Sequence, residues 1–361
     1  MIRAATLADL EPLLALERQS FSSDQISRRS FRHFLTRAHA RLQVYEDAQG
    51  VGGYALVLFH RGTVLARLYS LAVAGRLRGQ GVGAALLRAA EQAAHEEGCL
   101  TIRLEVRPDN DAAIALYERA GYRRFALVPA YYEDAGDALR LEKRLREPEV
   151  VSRDCPYYAQ TLDFTCGPAA LMMAMQAIEP SLALDRKLEL RLWREATSIF
   201  MTSGHGGCGP YGLALAARRR GFAVEVFVRD AATLFVDSVR TQEKKTVIRL
   251  VQEDMLTELT ELVVPIHHRR LPATELGERL AAGQMAVVLI SSWRIYREKF
   301  PHWVVVTGCS RDYVWVHDPY VDYEQDKRPV DCIDLPIPRP EFERMSRYGK
   351  SGQRAVVLIS R

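Results

Sequence analysis

No run of about 18 apolar residues occurs in this sequence, so a membrane-spanning helix is not expected. The opening segment, MIRAATLADLEPLLALE, is charged at Arg3, Asp9 and Glu11 and lacks the apolar core of a secretory signal, which points to the cytoplasm. Cysteine is sparse: six in 361 residues, at Cys99, Cys155, Cys166, Cys208, Cys309 and Cys332. None forms a CxxC pair, so no metal site is read, and a chain of this length needs no disulfide framework. An excess of one charge is also missing, with 49 Lys and Arg against 45 Asp and Glu for a net +4. No basic block is interleaved with aromatics, so neither nucleic acid nor membrane is read as a partner. Arg218, Arg219 and Arg220 read instead as the basic end of a helix. Apart from a short CGP echo at 166 and 208, no repeat and no low-complexity tract is read.

What remains is ordinary globular composition, 48% hydrophobic and 26% charged, over a length that suits two domains. The stretch KRLREPEVVSRD (143–154) is charged, contains Pro148 and has no periodicity. It divides a first domain, 1–145, from a second, 155–361, with 146–154 as linker. The first half predicts a helix over Thr6 to Arg18, with Thr6 or Asp9 as its cap, and strands over 41–47, 51–59 and 64–74. A helix from about Gly81 to Glu97, a strand over 100–106, a helix over 111–121 and two terminal strands follow, a mixed α/β order. The second half predicts a helix at 167–178, more helices to about 220, and then strands, the strongest at 286–291, 302–309 and 313–318.

In LYSLAVAGRLRGQGVGAALLRAAEQAA (68–94) a strand runs into a turn rich in arginine and glycine, and then into an amphipathic helix. Such a turn, with the positive end of the helix behind it, can hold a diphosphate on backbone N–H groups. Glycines at 79, 81 and 83 would let the backbone come close, and Arg78 adds a cation. A glycine-rich turn before a helix is weak evidence alone. The form Arg-x-x-Gly-x-Gly, however, resembles the pyrophosphate motif of the GNAT acetyltransferase superfamily. A second segment, LEVRPDNDAAIALYERAGYRRFALVPAYYEDAGDALRLEKRL (104–145), is similar to the RimI-like alanine acetyltransferases of that superfamily nearly throughout.

That resemblance implies acetyl-CoA as co-substrate and a peptide or protein amino group as acceptor, small amines being the other class. It implies Glu105 as general base, through water, and Tyr117 as the acid that protonates departing CoA. It implies that the backbone of Leu71 and Val73 and the side chain of Asn110 hold the pantetheine arm. The diphosphate would lie on Arg78, Gly79, Gln80, Gly81, Val82 and Gly83. Structural alternatives stand beside these: Glu105 as a solvated strand carboxylate, Tyr117 as a core aromatic. The resemblance also places residues 17–31 and Tyr131–Tyr132 around the acceptor, though Asp24-Gln25 stands where the family often has proline-tryptophan.

In PYYAQTLDFTCGPAALMMAM (156–175), Gln160 lies six positions before Cys166, and a helix is predicted directly after the cysteine. A thiolate at a helix amino end is favoured by the dipole, and a nearby glutamine amide can donate to an oxyanion. Downstream, His302 opens one predicted strand and Asp318 closes the next, an order suited to a base and its orienting acid. The set resembles the papain-like cysteine peptidases that process bacteriocin leaders. That resemblance implies Cys166 as nucleophile, His302 as base, Asp318 as orienting acid and Gln160 as oxyanion donor, in a papain-like α+β fold. Thr165 departs from the aspartate usual there. Cys208, without a glutamine six positions before it, reads as a structural helix start, Cys155 and Cys309 as core or loop residues, His205 as a turn residue, and His267–His268 as a surface pair. The expectation is an acetyltransferase fused to a peptidase, or to a silent module that only holds peptide.

Overall fold

The computed structural model describes all residues except 37–38, 147–148, 198–205, 240, 299 and 324–327. It divides into two compact units, Met1–Glu147 and Pro148–Arg361. The first contains β1 (Ile2–Ala4), α1 (Leu10–Ser20), α2 (Arg28–Thr36), β2 (Ala40–Asp47), β3 (Gly50–Phe59), β4 (Leu65–Val73), α3 (Val82–Glu96), β5 (Thr101–Val106), α4 (Asp111–Arg119), β6 (Arg123–Val128) and β7 (Ala138–Arg144). Its seven strands run β1-β2-β3-β4-β5-β7-β6. Only the β4–β5 pairing is parallel among those described.

Both faces of this sheet are covered, so alternate residues of one strand enter different cores. Ala55, Val57 and Phe59 of β3 join Leu86, Leu87 and Ala90 of α3 on one face. Tyr54 and Leu56 join Leu13 of α1 and Phe31 of α2 on the other. Helix α1 begins after a short 3-10 turn, where the Asp9 carboxylate accepts from the Thr6 backbone N–H at 2.8 Å and from Arg3.

The parting of β4 from β5 shapes the first site. Their pairing runs from Leu65–Thr101 to Leu68–Leu104 and goes no further. Strand β4 continues to Val73, held on its other side by β3, with Ala55 opposite Leu71 and Gly53 opposite Val73. A bulge at Tyr69 marks the point of departure, and a bulge adds local twist.

The second unit contains β8 (Val151–Ser152), α5 (Cys166–Ile178), α6 (Arg186–Ala196), α7 (Pro210–Arg218), β9 (Ala223–Val228), α8 (Gln242–Glu261), β10 (Ile266–His268), α9 (Ala273–Ala281), β11 (Met285–Ser291), α10 (Trp293–Tyr296), β12 (Pro301–Cys309), β13 (Tyr313–His317), β14 (Leu335–Pro338), α11 (Arg339–Met345) and β15 (Ala355–Ser360). The main sheet order is β10-β9-β15-β11-β12-β13-β14, with β8 added beside β12. Helix α5, buried along most of its length, lies against β11 and β12 and so carries the start of the helix to the sheet.

Three expectations change. Residues 151–152, read as linker, pair with Gly308 and Cys309 and belong to the second sheet; a two-residue strand leaves no period to read. Helices α8 and α9 lie beyond the point where strands alone are expected. The sequence does contain a repeat: Gly-Gln-x-Ala-Val-Val-Leu-Ile-Ser occurs at 283–291 and again at 352–360. The two copies form β11 and β15, antiparallel neighbours inside the sheet.

Candidate active sites

In the second unit, Cys166 is the first residue of α5, His302 stands near the start of β12, and Asp318 follows the last residue of β13. The His302 Nε2 lies 2.6 Å from Asp318 Oδ1, with the two side chains 1% and 0% exposed. The Cys166 sulfur lies near enough to the same imidazole to favour its charged form. Burial disfavours the imidazolium. The Asp318 carboxylate and the Cys166 sulfur outweigh it and push His302 up to about 10. For Asp318, burial favours the neutral acid, but the His302 charge, Tyr296 and the Tyr320 N–H hold it below the usual carboxylate range.

Two residues absent from the sequence reading complete this acid. Tyr296 of α10 donates its hydroxyl to Asp318 Oδ2 at 2.7 Å, and the Tyr320 backbone N–H donates to Oδ1 at 2.9 Å. Tyr296, Phe300 and Tyr320 also surround the imidazole edge-on, at centroid distances of 6.1, 5.9 and 6.3 Å. The aromatic residues at 296, 300 and 320 flank the histidine and aspartate in sequence, which is the signal that could have found them.

Cys166 is the one cysteine of the six that is not buried. Burial pushes the thiols of Cys99 and Cys309 up to about 12 and holds those of Cys155 and Cys208 well above the usual range. Gly167 has a steric reason: a methyl there would stand 3.2 Å from both Cys208 Cβ and Trp303 Cδ1.

Gln160 comes to the site with part of its amide engaged. Its Nε2 donates to the Leu162 carbonyl at 2.9 Å, which leaves one amide hydrogen, while Oε1 is buried with no partner among the described residues. His317 is a satisfied core histidine, receiving the Asp334 N–H on Nδ1 and meeting the Cys155 carbonyl through Nε2. His267, expected as half of a surface pair, stacks on Phe227 at 4.3 Å and lies 3.0 Å from Glu225. Arg219 and Arg220 reach across to Glu258 and Glu195, and only Arg220 also meets a carbonyl of its own helix end. His205 lies outside the described residues. No group of three or more metal-ligating side chains occurs among the described residues.

In the first unit, Gly79 and Gly81 have φ of +75° and +80°, the left-handed region, and Gly81 caps α3. Nothing stands within 4 Å of a methyl built on either one, so the backbone angle explains these glycines. Gly83 has neither reason: a methyl there would make only ordinary contact, 3.5 Å from Leu116. The first N–H groups of α3, at Val82 and Gly83, point out of the helix end without a helical partner. Gln80 donates its amide to the Arg76 carbonyl, and Arg78 Nε donates to the Val73 carbonyl at 3.2 Å.

Asn110 does other work as well: its side-chain oxygen caps α4 by accepting from the Ala113 N–H at 3.1 Å. Glu105 departs most from the sequence alternatives. It is no solvated carboxylate, because Arg67 Nε donates to Oε2 and Arg140 Nε to Oε1, each at 2.9 Å, with the glutamate side chain 6% exposed. Arg67 in turn donates to the Tyr131 hydroxyl. Tyr117 is 7% exposed, and burial pushes its phenol up to about 12. The loop after α1 is tied to the 131–136 loop: Asp24 accepts from the Glu133 N–H at 3.0 Å, and Arg107 reaches both Ser23 and Asp134.

The first unit sets a glycine turn beside parted strands, and the second sets a partly exposed cysteine near a buried histidine–aspartate pair. The profile of the Peptidase_C39 like family matches residues 155–360, and that of the Acetyltransferase (GNAT) family residues 7–122. The chain belongs to the Peptidase_C39 like family and carries a GNAT acetyltransferase domain at its amino end.

Its relatives include N-alpha-acetyltransferase 30 of Schizosaccharomyces pombe, 38% identical over 22% of this chain and 55% of that protein. An uncharacterized N-acetyltransferase of Methanocaldococcus jannaschii is 34% identical over 40% of this chain and 91% of that one. The putative ribosomal protein bS18-alanine N-acetyltransferase of Bacillus subtilis is 26% identical over 38% and 89%. Among solved structures, Ard1 from Thermoplasma volcanium is 30% identical, covers 41% of this chain and 98% of its own, and has a TM-score of 0.37. The chain thus spans about half the length of the fission-yeast relative.

Proposed function

We propose that the first unit is a cytoplasmic, acetyl-CoA-dependent N-acetyltransferase for the α-amino group of a peptide or protein, and that the second is a cysteine peptidase. The observation that carries the peptidase reading is a buried His302 held on Asp318 at 2.6 Å, with Cys166 at the start of α5 near enough to act on its charge. The acetyltransferase reading is supported by the β4–β5 gap beside the glycine turn, and the α-amino acceptor by relatives named for that chemistry.

Acetyl-CoA, when bound, supplies the acetyl thioester. The backbone of Leu71 and Val73 would pair with its pantetheine arm across the gap, and the Asn110 amide nitrogen, left over from the cap, would donate to it. The N–H groups at 82–83 and the Arg78 guanidinium would hold the diphosphate. Tyr117, kept protonated, would donate to the departing sulfur. Glu105 would accept the ammonium proton through water, on the lone pairs its two arginines leave.

In the second unit, Cys166 Sγ would attack a peptide carbonyl, and the remaining Gln160 N–H would meet the oxyanion. Collapse breaks the C–N bond, with His302 giving its proton to the leaving amine; His302 then deprotonates the water that hydrolyses the thioester.

Incubation with acetyl-CoA and a mixed peptide library, read by mass spectrometry, tests both halves. Shortened peptides that vanish with Cys166→Ala, and acetylated amino ends that vanish with Tyr117→Phe, are expected. An intact, unacetylated library with the wild type contradicts the proposal.

A further inference from the structure

The segment before Cys166 has no regular secondary structure from Arg153 to Thr165, yet it must hold Gln160 and the cysteine in place. Its support from one side is backbone: the Gln160 N–H donates to the Pro319 carbonyl at 2.8 Å, beside Asp318. Support from the other side comes from one buried side chain, Glu189 in the first turn of α6, which is 0% exposed. Its Oε1 accepts from the Thr161 backbone N–H at 2.8 Å and from the Thr165 hydroxyl. Its Oε2 accepts from the Thr161 hydroxyl at 2.6 Å and from the Tyr158 hydroxyl at 3.0 Å.

All four donors lie between residues 158 and 165. Thr161 directly follows Gln160, and Thr165 is the cap residue directly before Cys166. No arginine or lysine among the described residues forms an ion pair with Glu189. Its burial is compensated only by neutral donors of this one segment. A carboxylate placed for stability alone has no reason to collect all its donors from the loop that bears the nucleophile.

We infer that Glu189 is the positioning residue of the thiol site: it fixes the 158–165 segment so that Cys166 meets His302 and Gln160 faces the reacting carbonyl. The inference rests on the peptidase reading and deepens it. A Glu189→Gln change puts an amide N–H against the Tyr158 and Thr161 donors, while the Thr165 hydroxyl keeps the Leu162 carbonyl at 2.9 Å as a second acceptor, so it loosens the segment without removing volume.

The test is alkylation of Cys166 by iodoacetamide in the full chain, followed by peptide mass spectrometry from about pH 5 to pH 9. The wild type is expected to alkylate well below the pH at which glutathione does, and to lose this with His302→Ala. Glu189→Gln should slow alkylation at pH 6 about tenfold or more and move the profile toward that of glutathione, in a protein that is still folded at the assay temperature. Glu189→Asp should recover part of the rate, and Thr161→Val should lose part of it. A folded Glu189→Gln protein with the wild-type profile overturns the role. If that variant does not fold, Thr161→Val decides, and an unchanged profile there overturns it equally. A wild type no more reactive than glutathione removes the peptidase reading, and the positioning role falls with it.

Discussion

Glu105 with an arginine on each oxygen differs from the isolated base that family resemblance implies. The sequence places it on a strand, which is correct, but Arg67 and Arg140 come from β4 and β7, and no spacing in one segment announces that meeting. Removing the carboxylate would leave two guanidinium groups nearly buried without it, so Glu105→Gln should lower stability by about 3 kcal/mol or more along with activity. Tyr117→Phe separates chemistry from folding, because no hydrogen bond of its hydroxyl to the described residues is lost. It should keep the melting temperature and cut acetyl transfer about 10²-fold or more, as read by release of free CoA thiol. His302, raised to about 10, contributes stability that is complete below the ordinary imidazole range and fades as pH rises through that value. The wild type's advantage over His302→Gln in urea unfolding should therefore shrink between about pH 6 and pH 10. Cys166, His302 and Asp318 were legible because helix start, strand start and strand end each mark a fixed place in a fold. Tyr296 and Glu189 act across elements: Tyr296 is marked only by belonging to the aromatics that flank the histidine and aspartate, and nothing in its own segment marks Glu189.

At the scale of elements, the periodic pieces were readable and the capping pieces less so. Strand β3 is apolar or glycine throughout, as a strand covered on both faces should be, and Gly98, just past the end of α3, has the positive φ expected of a helix stop. Helix α8 carries its buried residues at 248, 252, 255 and 259, a helical spacing, but the polar Gln252 interrupts the apolar reading; it is buried because it accepts from the Leu234 N–H. The twin nonapeptides at 283–291 and 352–360 were open to inspection and are near-continuous apolar runs, as strands covered on both faces should be. The turn before α3 allows a sharp comparison. Gly81→Ala forces a methyl into a left-handed conformation and should cost about 1 kcal/mol, whereas Gly83→Ala has room and should leave the melting temperature unchanged. If Gly83 lies against the diphosphate, Gly83→Ala should still weaken acetyl-CoA binding about tenfold by calorimetry. The loop after α1 hangs on Glu17, whose buried carboxylate accepts from the Ile26 N–H at 2.8 Å. Burial raises its pKa against the pull of Tyr54 and Ile26, so its ionisation costs stability as pH rises. The difference in melting temperature between Glu17→Gln and wild type should move in the variant's favour as pH rises above the ordinary glutamate range.

Taken whole, the chain joins two units, each with its own sheet, for which two different acyl chemistries are proposed: transfer from a thioester to an amine, and transfer from a peptide to water through a cysteine. Cleavage of a peptide exposes a new α-amino group, which is the acceptor proposed for the first unit, so the product of one site could be the substrate of the other. The most direct measurement is a time course with acetyl-CoA and an amino-terminally blocked peptide library, followed by mass spectrometry. Blocked peptides have no α-amine until they are cut. The account expects acetylated fragments to appear with wild type, unacetylated fragments with Tyr117→Phe, and neither with Cys166→Ala. Wild-type protein that leaves the blocked peptides uncut, or cuts them and never acetylates the new ends, would contradict it.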